Sequence, residues 1–391
     1  MSRRRIAVCF PLFRPGGGSE IPALWAVEAL KDDHDVTLIS AGKLSLARLN
    51  EFYGTAIGEA EIRVVEVPLP RPFRSSFAAV RGGLLSRYCR RQASSHDLMI
   101  SMYNVMDFGR KGIQFIADFS FDASLRAAYG DLPAGRRRWL YQPRLLRSAY
   151  IGASRRLAGT TAKGWWENVT VANSEWTRDV LRRAFGIPSE VIYPPVLAGG
   201  PPRPWAEKTN GFVFLGRVSL EKRIERIIDI LARVRARRPG VHLHIVGDAQ
   251  DSYRRRIEPL LRRHRDWVFV EGLKSGGEKA AVIDGHRFGI SARANEPFGI
   301  AVAEMAAAGN LVFVPGGGGQ VEIVDHPDLV YRDPDDACAK IERVLDDPSL
   351  QERLREHALA RRGRFSPERF MAEVRGLVRR FFGESSVLPG P

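Results

Sequence analysis

The sequence predicts an α/β protein of two Rossmann-like, doubly wound domains facing across a cleft. Three observations predict it. Short apolar runs alternate with amphipathic stretches along most of the 391 residues, the pattern of parallel strands joined by crossover helices. A glycine loop, Gly16-Gly17-Gly18-Ser19, follows the first apolar run and opens a helix. A Pro/Gly-rich stretch without periodicity, Pro194-Pro195 through Pro201-Pro202-Arg203-Pro204, splits the alternation into two series of similar length. Ligands of such sheets bind beyond the strand carboxyl ends.

The expected domains are residues 1–200, residues 205–365 and a closing helical segment, 366–391, that crosses back to the first domain. In the first series, 6–10 reads as a strand, 21–31 as a helix and 36–40 as the next strand. The intervening loop lacks the full G-x-G-x-x-G spacing, and a tight turn explains its glycines equally well. Further strands are expected at 62–67, 98–102, 113–116, 169–172 and 191–193. In the second series they fall at 212–215, 243–246, 268–270, 288–291, 311–314 and 329–331, with a helix over 221–237.

The formal charge is +15, mostly through arginine. It implies an anionic partner: lipid headgroups, nucleic acid or a phosphorylated substrate. A basic aromatic region contains Arg136-Arg137-Arg138-Trp139, Tyr141, Arg144, Arg147, Tyr150, Arg155 and Arg156, with Arg87, Arg90 and Arg91 adding to it if they lie near in space. Arginine beside Trp and Tyr suits an anionic membrane surface. It would serve RNA as well, and a solvated helix face explains it more plainly. The widely spaced Cys9, Cys89 and Cys338 point to a reducing compartment. Residues 6–10 are too short for a signal-peptide core and run into the glycine loop. No run of 18 apolar residues occurs. The expected location is cytoplasmic, peripheral to the inner face of the membrane.

Three stretches carry chemistry. Asn295-Glu296-Pro297-Phe298-Gly299-Ile300-Ala301-Val302-Ala303-Glu304 follows an apolar strand and runs into a helix former. Pro297 fits the first turn of that helix, and Gly299 lets backbone approach a ligand. The helix mouth is an anion site, with Glu296 before it and Glu304 one turn below Ile300. Gly216-Arg217-Val218-Ser219-Leu220-Glu221-Lys222 leaves the first strand of the second series and places Arg217 and Lys222 where two cations can neutralise a diphosphate. Pro315-Gly316-Gly317-Gly318-Gly319-Gln320-Val321-Glu322 presents unobstructed N–H groups to a sugar or phosphate, or is a plain flexible loop. Asp333 reads as a helix N-cap. No hydrolase triad, zinc motif or paired-cysteine motif occurs. The eight histidines show no ligand spacing, so no metal is expected.

In this order, Gly216-Arg217-x4-Lys222, Glu296-x7-Glu304 enclosing Pro297-Phe298-Gly299, and Gly318-Gly319-x2-Glu322 resemble the retaining family 4 glycosyltransferases of the GT-B fold. Val171-Ala172-Asn173-Ser174-Glu175-Trp176-Thr177 and Ile192-Tyr193-Pro194-Pro195-Val196 are similar to the mannosyltransferases that extend lipid-linked oligosaccharides, as is Phe298-Gly299-Ile300 with Val302-x-Glu304-Met305. The resemblance implies that Arg217 and Lys222 hold the donor diphosphate, that Glu304 binds the ribose and that Glu296 meets the donor sugar. It gives main-chain groups at Phe298, Gly299 and Ile300 to phosphate or sugar. It gives the turn Gly272-Leu273-Lys274 to the base, and Gly17 and Gly18 to the diphosphate. Members often carry a histidine where Ala117 stands here. Either Asp118, which follows, takes over the polar contact, or the acceptor geometry differs.

The expected function is hexose transfer, mannose included, from a nucleotide-diphosphate sugar such as GDP-mannose or a UDP-sugar to a saccharide or lipid-linked acceptor. No further cofactor and no nucleic acid partner are expected. The competing readings are a sugar-nucleotide epimerase on the same fold, which needs no acceptor, and a non-catalytic protein that binds RNA or membrane through its arginines.

Overall fold

The computed structural model describes residues 3–13, 16–69, 78–129, 144–159, 161–197, 200–249 and 251–384. The chain forms two compact units, Met1–Pro195 with Pro367–Pro391, and Val196–Ser366.

The strands of the first unit are β1 (Arg5–Phe10), β2 (Asp35–Ala41), β3 (Arg63–Val67), β4 (Leu98–Ser101), β5 (Ile113–Ile116), β6 (Val169–Ala172) and β7 (Glu190–Val191). They pair in the order β3-β2-β1-β4-β5-β6-β7, each pair parallel. Ile6 to Phe10 are all buried, as a strand covered on both faces requires. The chain runs outward from β1 to β3 on one side and from β4 to β7 on the other, so the order reverses between β1 and β4. The carboxyl ends there form a ligand crevice in such sheets. The glycine loop leaves β1 at that point.

β7 stops at Val191, two residues short of the expected 193. Ile192 N–H still donates to the Ala172 carbonyl, but Pro194 and Pro195 follow and have no N–H to extend the ladder. The closing helix Pro367–Phe381 belongs to this unit. Phe370, Val374, Leu377 and Val378 make its buried stripe. Arg375 Nε donates to the Ala29 carbonyl at 2.7 Å, which ties it to the helix Ile21–Leu30.

The second unit holds β8 (Thr209–Leu215), β9 (Leu243–Val246), β10 (Val268–Gly272), β11 (His286–Ile290), β12 (Leu311–Pro315) and β13 (Val330–Tyr331), in the parallel order β10-β9-β8-β11-β12-β13. The buried rings of Phe212 and Phe288 stack with centroids 5.1 Å apart, and Phe313 lies 6.4 Å beyond Phe288. Phe313 also lies 6.1 Å from Phe212, so the three rings form a triangular cluster that packs the sheet centre. The order reverses between β8 and β11, so the crevice of this unit opens at their carboxyl ends.

Two helix starts differ from expectation. The helix after β8 begins at Ile224, not at Glu221. Leu220–Lys222 forms a 3₁₀ turn, and Arg223 at φ 52° interrupts the helical path. Similarly, Pro297 precedes its helix instead of opening it. The helix is Ile300–Ala307, preceded by Gly299 at φ 106°, a backbone state that glycine adopts without strain. Asp333 does cap a helix, accepting from Asp336 N–H at 2.9 Å. That helix starts at Pro334 because its proline suits the first turn. Among the described residues, no helix is long and apolar enough to cross a membrane.

Candidate active site

At the crevice of the second unit, the turn after β8 brings Lys222 to the loop after β11. Lys222 Nζ donates to Glu296 Oε2 at 2.6 Å, and Arg293 Nη1 donates to Glu296 Oε1 at 2.9 Å. The Glu296 side chain keeps only 13% of its surface exposed. Burial pushes its carboxyl upward, but Lys222 and Arg293 outweigh that and hold it down at about 2. Glu296 is therefore ionised throughout the neutral range. Arg217 stands on the same turn as Lys222 and is exposed. Its carbonyl accepts from Ser219 Oγ, and among the described residues no carboxylate pairs with its guanidinium. Arg217, Lys222 and Arg293 against Glu296 leave the crevice net positive.

The glycine loop after β12 is laced to the same place. Gly318 lies against the Glu296 backbone as a parallel bridge. A Cβ on Gly318 would stand 2.2 Å from the Glu296 carbonyl oxygen, and its φ of 79° adds a second reason for glycine. Gly319 N–H donates to that carbonyl at 2.8 Å. Gln320, fully buried, accepts from Ser291 and donates to the Arg293 carbonyl at 2.7 Å. Gln320 thereby fixes the backbone that carries Arg293 and Glu296.

Phe298 is buried and packs on Phe365 with ring centroids 5.4 Å apart, so its side chain serves the core and only its main chain faces the mouth of the helix Ile300–Ala307. No side chain caps that mouth, which leaves the first-turn N–H groups of Ile300 and its successors without intrahelical partners. Glu304 is buried one turn down and accepts from Lys279 Nζ at 2.8 Å. Lys279 comes from the helix Gly276–Asp284. Gly272 ends β10 with φ 71°, Leu273 is 55% exposed, and Lys274 pairs with Glu271 at 3.4 Å. This turn sits at the sheet edge, three strands from β11 and so roughly 14 Å across the ladder.

In the first unit, Gly17 and Gly18 follow β1. Tyr53 Oη donates to the Gly17 carbonyl at 2.9 Å, and buried Glu20 packs so closely that a Cβ on Gly17 would lie 2.4 Å from its carboxylate. Asp118 follows β5. It accepts from Tyr103 Oη at 2.7 Å, Asn104 Nδ2 at 2.7 Å and Ser120 N–H at 2.8 Å. Burial and the neighbouring Asp118 raise the Tyr103 phenol, which stays protonated as that donor. Asn104, at φ 61°, accepts from the N–H groups of Ala117 and Asp118. Asp118 is thus held in one orientation. Asn173, at the end of β6, donates to the Ala117 carbonyl at 3.0 Å.

Of the basic region, Arg136, Arg137, Arg138, Trp139 and Tyr141 lie outside the described residues. Arg155 and Arg90 are used internally. Arg155 stacks over Trp165 at 4.0 Å, and Arg90 pairs with Asp107 at 3.0 Å. Arg87, Arg90, Arg91 and Arg156 are exposed. The histidines, which show no ligand spacing along the chain, do come together in the fold. His242, His244 and His286 meet on one face of the second sheet.

The functional reading missed Arg293, Lys279 and Gln320. Arg293 had a signal, since it stands three residues before Glu296 in one loop. Lys279 had none, because its partner is 25 residues away.

Residues 201–361 match the family model of glycosyl transferases group 1. No curated protein matches the chain by sequence. Solved structures match nearly its whole length. Anabaena HepE in complex with UDP and glucose is 16% identical, covering 97% of this chain and 100% of its own, with a TM-score of 0.69. WaaG, a glycosyltransferase involved in lipopolysaccharide biosynthesis, is 14% identical over 95% of this chain and 100% of its own, at 0.70. Sucrose-phosphate synthase from Thermosynechococcus elongatus is 17% identical over 98% and 100%, also at 0.70. The chain therefore has the GT-B fold, and its residues 201–361 match the glycosyl transferases group 1 model.

Proposed function

We propose that the protein is a retaining, metal-independent hexosyltransferase that uses a nucleotide-diphosphate sugar. The observation that carries this reading is the Lys222–Glu296–Arg293 cluster at the switch point of the second sheet, beside the uncapped helix mouth. Arg217, Lys222 and the first-turn N–H groups receive the diphosphate and stabilise the charge that grows as the nucleotide leaves. Glu304 accepts from the ribose, Glu296 from the donor sugar, and Gly272 to Lys274 hold the base through main-chain atoms. The acceptor hydroxyl attacks the anomeric carbon on the face that the nucleotide leaves. A leaving phosphate oxygen takes its proton, so position and charge do the work that a nucleophile would otherwise do.

The first unit takes the acceptor, with Asp118 oriented for one of its hydroxyls. The acceptor is a saccharide or lipid-linked saccharide. The mannosyltransferase resemblance makes GDP-mannose a donor to test, and the HepE complex with UDP-glucose makes UDP-glucose the other. A thermal-shift panel of nucleotide sugars, followed by an assay of nucleotide diphosphate release with acceptor present, tests the reading. A ligand at 100 times its dissociation constant stabilises by about 2.7 kcal/mol. Absence of any shift with UDP- and GDP-sugars refutes it. Turnover of the sugar nucleotide without acceptor turns it into epimerisation.

A further inference from the structure

At the amino-terminal end of the second sheet, away from the crevice, three imidazoles converge. His242 and His244 stand two residues apart around the start of β9, so both project to one face. His286 opens β11. β8 lies between them in the sheet and would ordinarily interpose a side chain. It carries Gly211 there instead. A Cβ on Gly211 would meet His242 Nε2 at 2.2 Å and His286 Cδ2 at 2.4 Å. The missing side chain is what lets rings from β9 and β11 meet across the strand that separates them.

We propose that His242, His244 and His286 form a binding site for a divalent first-row transition ion of the zinc type. One ring nitrogen from each lies within 4.8 Å of the other two. Tetrahedral zinc with bonds of about 2.0–2.1 Å needs nitrogens about 3.3 Å apart, a closure that small ring rotations supply. The second ring nitrogens are already occupied. His244 Nδ1 faces Glu271 Oε1 at 2.7 Å, His286 Nδ1 faces the Val282 carbonyl at 2.6 Å, and His242 Nδ1 faces the Gly240 carbonyl at 3.1 Å. Acceptors on all three Nδ1 atoms place the proton there and leave Nε2 as the lone-pair nitrogen, which is how ligating histidines are oriented.

Phe269 packs on His244 with centroids 4.9 Å apart and is 40% exposed, which leaves a path from solvent. Three histidines fill three positions of a tetrahedron, and the fourth is open to water. The rings lie at the opposite end of β11 from Glu296, and Glu271 links His244 to Lys274.

The test uses the full chain, free of any histidine tag and stripped with chelator, titrated with Zn²⁺ by calorimetry and with Co²⁺ by visible absorption. One equivalent should bind, with the d–d bands of tetrahedral cobalt. His242→Gln should weaken Zn²⁺ at least tenfold. His244→Gln should do the same, and Glu271→Gln should cost 10–100-fold through its support of His244. His357→Gln, in the separate His326–His357 pair, should leave the affinity unchanged. Circular dichroism of each variant reports whether it folds. No binding to the parent chain, or equal binding in folded His242→Gln and His244→Gln, overturns the proposal.

Discussion

Glu296→Gln isolates what the ion cluster contributes. The parent carboxyl falls from an ordinary 4.5 to about 2 in the folded chain. Each unit corresponds to about 1.4 kcal/mol, so the ionised form adds roughly 3 kcal/mol to the second unit. The sign follows from linkage: a depressed pKa means stability fully present above pH 4.5 and lost as pH falls toward 2. The amide keeps the shape but not the charge, and leaves Lys222 and Arg293 facing each other without the Glu296 charge between them. Urea unfolding of parent and variant at pH 7 should differ by about 3 kcal/mol in the transition that melts the helix Ile300–Ala307, followed by hydrogen exchange. The gap should close as both are titrated to pH 3 and below. A gap independent of pH would refute the electrostatic account and leave only packing. A nucleotide diphosphate gives a second readout. It competes with Glu296 for Lys222, so it should bind the variant at least as tightly while sugar transfer falls.

Arg217→Ala should lower turnover by roughly 10²–10³, the scale for one preorganised donor, with the melting temperature unchanged because the side chain is exposed. Lys222→Ala should lower both, since it also strips Glu296. Turnover of the parent should persist in EDTA, and a strict need for Mg²⁺ or Mn²⁺ would refute metal independence. Glu304→Ala should weaken donor binding by about 1.5–3 kcal/mol, measured by calorimetry, with an added loss of stability from the stranded Lys279. Gly318→Ala should destabilise by about 1–3 kcal/mol from backbone strain alone, more with the clash against Glu296, read by thermal melting. Liposome co-sedimentation should show salt-sensitive binding to anionic vesicles, lost when Arg136, Arg137 and Arg138 become Glu. Equal binding to neutral vesicles would point to a soluble saccharide acceptor.

The two sheets were legible because a parallel strand covered on both faces must be an apolar run, and runs such as 113–116 and 243–246 coincide with β5 and β9. Helix starts were less so. Arginine carries no mark of a left-handed backbone, yet Arg223 adopts one and delays its helix to Ile224. Gly299 does carry that mark, but Pro297 offered a competing start, and propensity alone does not rank the two. At the site, Lys222, Glu296 and Gly318 are recognisable by their spacing, whereas Gln320 acts by holding two loops together and Lys279 by pairing across elements. The histidines show the limit most sharply. His242 and His244 alone do not read as a ligand set, because the third ring arrives from a strand two places away in the sheet. The glycine that admits it, Gly211, stands 31 residues from the first histidine and 75 from the last. Strand order turns those separations into contact, and a linear reading that names the strands without ordering them cannot see it.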